Sequence, residues 1–146
     1  MTGGAAAASV RHVLRVATRI GPSAIHGLGL FAAAPIPAGT VVWTFDAGLD
    51  VVLDERLVAE LPPGARTHLD RYAYQDPVRR ARVLCVDDAR FFNHAAPANC
   101  GDSPVAGPDV TIALRDIAAD EELTWDYAES GGEALQVGAA GTEVPA

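Results

Sequence analysis

Short runs of apolar residues, spaced two apart or continuous, dominate the chain. TVVWTF (40–45) is β-branched and aromatic and is entered through PIPAG, whose Pro and Gly suit a turn; it predicts a strand. DVTIALRDI (109–117) predicts another, with Val110, Ile112 and Leu114 alternating inward. ARVLCVDD (81–88) and EELTWDYA (121–128) predict two more. VRHVLRVATRI (10–20) fits two periods. Arg11, Arg15 and Arg19 share a helical face, yet the Val and Ile content and the Gly-Pro that follows favour a strand. GPSAIHGLG (21–29) reads as a turn-rich loop. The period lengthens only over 54–75. Asp54 can cap ERLVAEL, with Glu55 in the first turn and Pro62-Pro63 as a stop. PGARTHLDRYAYQD then predicts a second short helix with Leu69, Tyr72 and Ala73 on one face. The sum is a mainly β fold with a helical insert. The absence of strand–helix–strand alternation excludes a doubly wound nucleotide-binding fold. Gly27-Leu28-Gly29 is accordingly no dinucleotide fingerprint, because the third glycine and the following helix are missing.

Length and charge narrow this further. A chain of 146 residues has the size of one domain. Its first nine residues, MTGGAAAAS, read as a disordered start, and the Gly/Ala-rich stretch from Ser130 to Ala146 reads as a flexible tail, which leaves a folded domain over 10–129. The formal net charge of −8 disfavours direct nucleic-acid binding and suits a basic partner. All 11 basic residues are Arg, and with the abundant Ala and Gly this points to a GC-rich, bacterial genome. Two cysteines, Cys85 and Cys100, are too few for a disulfide framework or a Cys-rich zinc site, so no metal is expected and a reducing, cytoplasmic setting is. No apolar run approaches ~18 residues, so no membrane helix is expected. Nothing in the sequence speaks to oligomeric state.

The chemistry concentrates in ARFFNHAAPANCG (89–101), where two aromatics run into Asn93 and His94, with Asn99 six positions later. An Asn side chain offers one acceptor and two donors, so Asn93 can hold the ammonium of an amino-acid-like ligand while tied to the backbone. A buried, hydrogen-bonded turn would use the same residues. The Gly27–Gly29 pair permits either close approach of a ligand to the backbone or a plain turn.

Three segments together carry a resemblance: SAIHGLGLFAAAPIPAGTVV (23–42), DDARFFNHAAPANC (87–100) and RDIAADEELTWDY (115–127). Each resembles a signature block of the SET-domain protein-lysine methyltransferases, in the family's order. The resemblance implies a β-clip-like fold of several small sheets whose C-terminal segment makes a knot-like crossing. It implies methyl transfer from S-adenosylmethionine to a lysine amine in a basic protein or peptide, with cofactor and substrate entering from opposite faces. It places Gly27, Leu28, Gly29 and Asn93 on the cofactor's methionine end and His94 on its adenine. It makes Asn99 the structural tie to the C-terminal block and Tyr127 the catalytic residue. Trp125 stands where relatives carry Phe or Tyr, a position that influences how many methyls are added, and Tyr74 is a further candidate for the wall of the lysine channel. Glu122 and Asp126 read as structural acids. AAPAN departs from the family's usual Ser-Cys-x-Pro-Asn run, with Pro97 one place early. The Cys-rich zinc segments that flank the domain in many relatives are missing, so a minimal domain is expected. The rival expectation is a non-catalytic SET-like interaction module that still binds the cofactor.

Overall fold

The computed structural model describes residues 13–129. The expected disordered start, the first residues of the 10–20 segment and the expected tail lie outside them. The chain begins with strand β1 (Thr18–Pro22) and β2 (Leu28–Ala32), an antiparallel pair joined by the Ser23–Gly27 turn. Among the described residues upstream of β1, Leu14 makes an isolated bridge to Trp43. The expected loop over 21–29 is therefore shorter than its Gly and Pro content suggests: Gly21 and Gly29 pair within the hairpin.

Next come β3 (Val41–Thr44) and β4 (Val51–Leu53), followed by α1 (Glu55–Glu60) and α2 (Pro63–Tyr72). The Asp54 side chain accepts the Arg56 N–H at 2.8 Å and caps α1. Leu61 turns extended before Pro62, as a residue preceding proline prefers, and Pro63 opens α2 at a position where no N–H is needed. Only Val58 of α1 and Leu69 of α2 are buried, and they meet Ala73 in a small core of their own. Arg82 fastens both helices to the sheet below through Glu55 and Asp70.

The remaining strands are β5 (Tyr74–Asp76), β6 (Ala81–Leu84), β7 (Asn93–His94), β8 (Cys100–Ser103), β9 (Gly107–Ala113) and β10 (Thr124–Trp125). Between β6 and β7 the chain makes a 3₁₀ turn over Asp88–Phe91, capped by Asp87. The strands form a sheet ordered β4–β6–β5 and a larger one ordered β3–β9–β8–β10–β7. In the larger sheet β10 lies between β7 and β8 and runs parallel to both, with Thr124 opposite Asn93 and Trp125 opposite both His94 and Cys100. The C-terminal segment thus enters the span closed by residues 95–99, which is the knot-like crossing of a mainly β fold.

Three expectations need correction. The strands expected at 81–88 and 121–128 contract to Ala81–Leu84 and Thr124–Trp125, because the flanking polar side chains bond to main chain and terminate the ladders. The inward parity of β9 is reversed. Thr111 and Ala113 are buried at 3% and 1% exposure, Val110 and Ile112 are half-buried, and Leu114 is exposed beyond the strand end, over Gly101. Leu30, Val42, Ile117 and Leu123 already fill the main core, so β9 presents a small side chain to it. A slip of one residue moves every side chain to the other face, and apolar identity alone misjudges it here. A register irregularity between Val41 and Trp43 in β3 lets Val42, Trp43 and Thr44 all be buried in succession.

Candidate active site

The two glycines of the first block serve different ends. Gly27 has φ +47° with nothing within 4 Å of where a Cβ would stand, and it closes the hairpin turn by accepting the Ser23 N–H at 2.9 Å. Gly29 is ordinary strand, but a Cβ there would lie 2.2 Å from Glu122 Oε1. Its missing side chain is the space into which a carboxylate fits.

That carboxylate is the centre of a joint. Glu122 Oε1 accepts from the Asn93 amide at 2.9 Å and from the Ser23 hydroxyl at 2.8 Å. The same Asn93 Nδ2 also donates to the carbonyls of His26 (3.0 Å) and Leu28 (3.1 Å). Three distant segments therefore meet on one amide and one carboxylate, in a position only 9% exposed at Asn93. The sequence reading left Glu122 as a structural acid; its contact with Gly29 explains why a glycine and a glutamate 93 positions apart belong together.

Asn99 makes the second joint, 3% exposed. Its Nδ2 donates to the Glu122 carbonyl at 2.7 Å, and its Oδ1 accepts the Thr124 N–H at 2.8 Å. Its own N–H donates to Thr124 Oγ1 at 3.1 Å, and its carbonyl accepts from Leu114. An amide side chain supplies both the donor and the acceptor that a strand edge needs, so Asn99 extends the ladder beside β10. The preceding Ala96–Pro97 peptide is cis.

Tyr127 follows β10 and is fixed twice. Its hydroxyl donates to the Phe92 carbonyl at 2.5 Å, and its N–H donates to His94 Nδ1 at 3.0 Å. The two rings lie 5.2 Å apart. An accepting Nδ1 leaves the proton of neutral His94 on Nε2. Burial, with the Glu122 charge adding to it, pushes the Tyr127 phenol up to about 12. Asp126 accepts the Ala128 N–H and stands 3.8 Å from His94 Nδ1.

Two cavities flank Tyr127. One, of about 400 Å³, is lined by His26, Gly27, Leu28, Phe91 and Asn93. The other, of about 110 Å³, has walls from Trp43, Tyr74, Trp125 and Thr111, with Asp76, Asp102, Asp109 and Glu129 among its lining. Tyr127, Phe92, Tyr72, Arg71 and Arg90 line both, so these five side chains are a shared wall. Of the residues singled out from sequence, Gly27, Leu28 and Asn93 line the larger cavity, Tyr74 and Trp125 the smaller, and Tyr127 both. Gly29, His94 and Asn99 line neither: His94 holds the Tyr127 main chain, while Gly29 and Asn99 fix Glu122 and Thr124 behind the cavities. Arg71 and Arg90 escaped the sequence reading, and only the position of Arg90 within ARFFNH could have marked it.

The acids of the smaller cavity divide into two kinds. Arg79 lies 3.7 Å over the Phe45 ring, donates to Asp109 at 2.7 and 2.8 Å and to Asp76 at 2.6 Å, and its hydrogen bonds hold the Asp109 carboxyl below the usual range. Among the described residues Asp102 makes no ion pair. Burial, then the charges of Glu129, Asp109 and Asp76, push it up to about 6. Burial also raises Tyr74, which packs edge-on against Trp43 with ring centres 6.2 Å apart.

The chain is similar to known proteins in sequence and in fold. The model of the SET domain matches residues 27–128. Histone-lysine N-methyltransferase ATX2 of Arabidopsis thaliana is 30% identical over 130 residues, which is 81% of this chain and 11% of that protein. An H3 lysine-4 specific histone-lysine N-methyltransferase of Emericella nidulans is 34% identical over 119 residues, 75% of this chain and 9% of that protein. The chain thus spans about a tenth of the length of these curated relatives. Among solved structures, a chain of apo ctPRC2 mutated in Ezh2 superposes with a TM-score of 0.60 at 20% identity, covering 84% of this chain and 16% of that one. A Plasmodium falciparum chain solved as a candidate histone methyltransferase gives 0.52 at 20% identity, covering 78% and 95%. With the family's blocks converging on one shared wall between two cavities, the chain belongs to the SET-domain family.

Proposed function

We propose that this domain transfers a methyl group from S-adenosylmethionine to the side-chain amine of a lysine in a basic protein segment. The observation that carries the reading is the shared wall: in it Tyr127, its hydroxyl fixed on the Phe92 carbonyl, borders a polar cavity on one side and an aromatic one on the other. The histone-lysine methyltransferase names of its relatives support the reaction class.

The larger cavity fits the cofactor by its donors and by its size, which lies within the usual range for small-molecule sites. Gly27 leaves open backbone, Asn93 brings an amide, the His26 and Leu28 carbonyls stand beside it, and Arg71 and Arg90 supply cations. When bound, the cofactor supplies an electrophilic sulfonium methyl.

The smaller cavity suits an alkyl stem ending in nitrogen. Trp43, Tyr74 and Trp125 cover the methylenes, and Asp102 and Glu129 favour arrival of a cation. Free lysine has a pKa of about 10.4 and must lose its proton before its lone pair can attack. Desolvation between aromatic walls favours the neutral amine. Tyr127 is held as a phenol by its raised pKa and is not the base. With its hydrogen directed to Phe92, its oxygen meets the amine as an acceptor and orients the nitrogen lone pair toward the neighbouring cavity. The proton leaves to solvent through the cavity mouth.

Titration calorimetry with S-adenosylmethionine, followed by methyl transfer to an array of Lys-containing basic peptides, tests this. Binding followed by label on lysine is the expected result. Absence of cofactor binding by the wild-type protein would sink the reading. Binding without transfer to any peptide would favour the non-catalytic interaction module.

A further inference from the structure

We infer that Arg71, on the last turn of the helical insert, receives the carboxylate of the cofactor's amino-acid end and is a positioning residue of the cofactor site. The inference rests on the reading of the larger cavity just given.

Among the described residues no Asp or Glu lines that cavity, while two guanidinium groups do. An α-carboxylate brought there is best met by a permanent cation, and in a chain without Lys the permanently charged side chains are arginines. The two arginines are not equivalent. Arg90 spends Nη2 on the carbonyls of Cys85 (3.1 Å) and Val86 (3.4 Å). Arg71 pairs with no carboxylate among the described residues. Its chain neighbour Asp70 is committed to Arg82. Arg71 is exposed, its guanidinium carbon 6.0 Å from the centre of the Tyr72 ring, which itself lines the cavity. A cation at a helix C-terminus sits favourably without a partner, which accounts for its tolerance there but not for its place on a cavity wall. The wall position, the missing anion and the committed alternatives together assign it to an incoming carboxylate.

The probe is a pair of ligands that differ in one group: S-adenosylmethionine and its decarboxylated form, titrated calorimetrically into wild-type protein, Arg71→Met and Arg71→Lys. The expected result is that Arg71→Met weakens S-adenosylmethionine about tenfold, the size of one lost charge-assisted hydrogen-bonded contact at an exposed site. Decarboxylated ligand should bind wild type and variant alike, and Arg71→Lys should recover part of the loss. Thermal unfolding of all three proteins should coincide, because the side chain is exposed. Equal weakening of both ligands, or no change with S-adenosylmethionine, overturns the assignment while the methyltransferase reading stands. Failure of the wild-type protein to bind either ligand overturns both.

Discussion

The two cavities on either side of Tyr127 are opposites. To the shared wall the larger adds main chain and an amide, and its shape depends on glycine; the smaller adds aromatic rings and acids. On the proposed reading, one suits the carboxylate of the cofactor's amino-acid end, which calls for a cation, and the other a lysine ammonium that must become neutral. A single wall of five residues, Arg71, Tyr72, Arg90, Phe92 and Tyr127, keeps these environments apart. The contrast teaches how a small domain separates two environments: α2 supplies Arg71 and Tyr72, the 3₁₀ turn and its cap supply Arg90 and Phe92, and the crossing brings Tyr127 onto the Phe92 carbonyl.

Breaking the crossing should therefore destroy both sides at once. Asn99→Ala removes the side-chain bonds to the Glu122 carbonyl and the Thr124 N–H and leaves both buried groups without their partner. At about 1–3 kcal/mol for each orphaned group, a loss of roughly 3–4 kcal/mol is expected. Chemical denaturation should show it, with cofactor and peptide binding falling in step with the folded fraction. Loss of one affinity with the fold intact would mean that the wall is not shared.

Changing only the phenol should spare both cavities and remove the chemistry between them. Tyr127→Phe keeps the ring against His94 and deletes the hydroxyl on Phe92. Turnover is expected to fall about a hundredfold, the order contributed by one oriented polar group. Cofactor affinity by calorimetry should stay within a factor of two or so. A matching loss of affinity would move Tyr127 from the chemistry to the binding site.

Damage to one side only is the finer probe. Asn93→Ala removes the amide that lines the larger cavity and holds the Gly27–Gly29 turn to Glu122. Cofactor affinity should drop about tenfold, the order of one polar contact to a charged ligand. Fluorescence anisotropy of a labelled basic peptide on the cofactor-free protein should be unchanged.

The sequence made the larger side more legible than the smaller. Asn93, Asn99 and Gly27 are short polar or small residues in fixed motifs, and their partners are main-chain groups whose places the strand order dictates. The α1 boundary was equally readable, because Asp54 and Pro62 act locally. What stayed hidden depends on distant segments. Glu122 explains Gly29 only once β2 and the segment before β10 are brought together. The face of β9 turned on how much volume other strands had already filled. The division of the acids into Asp76 and Asp109, which share Arg79, and Asp102, which has no ion pair among the described residues, needed three separate segments in space. Arg71 stood in a helix chosen for its apolar face, where a charged residue carries no signal of its own.

Asp102 offers the most delicate test of the smaller side, because stability and binding should move in opposite directions. Its carboxyl titrates near 6 in the folded protein, raised by burial and by Glu129, Asp109 and Asp76, against about 3.9 in an unfolded chain. Between those values Asp102 holds more proton in the folded state than in the unfolded one, so its own contribution to stability is greatest below pH ~4 and declines as pH rises through 6. Discounted for partial exposure, the loss is about 1 kcal/mol at neutral pH. Asp102→Asn should recover it: denaturation midpoints of variant and wild type should converge near pH 4 and separate in the variant's favour by pH 7. The same change should raise KM for a basic peptide a few-fold while leaving kcat near wild type, since it removes a charge from the cavity lining and no group on the reacting nitrogen. A variant that gains stability without that rise would leave the acid unexplained. A variant that shows both marks Asp102 as a carboxylate kept at a cost to the fold for the sake of a cationic substrate.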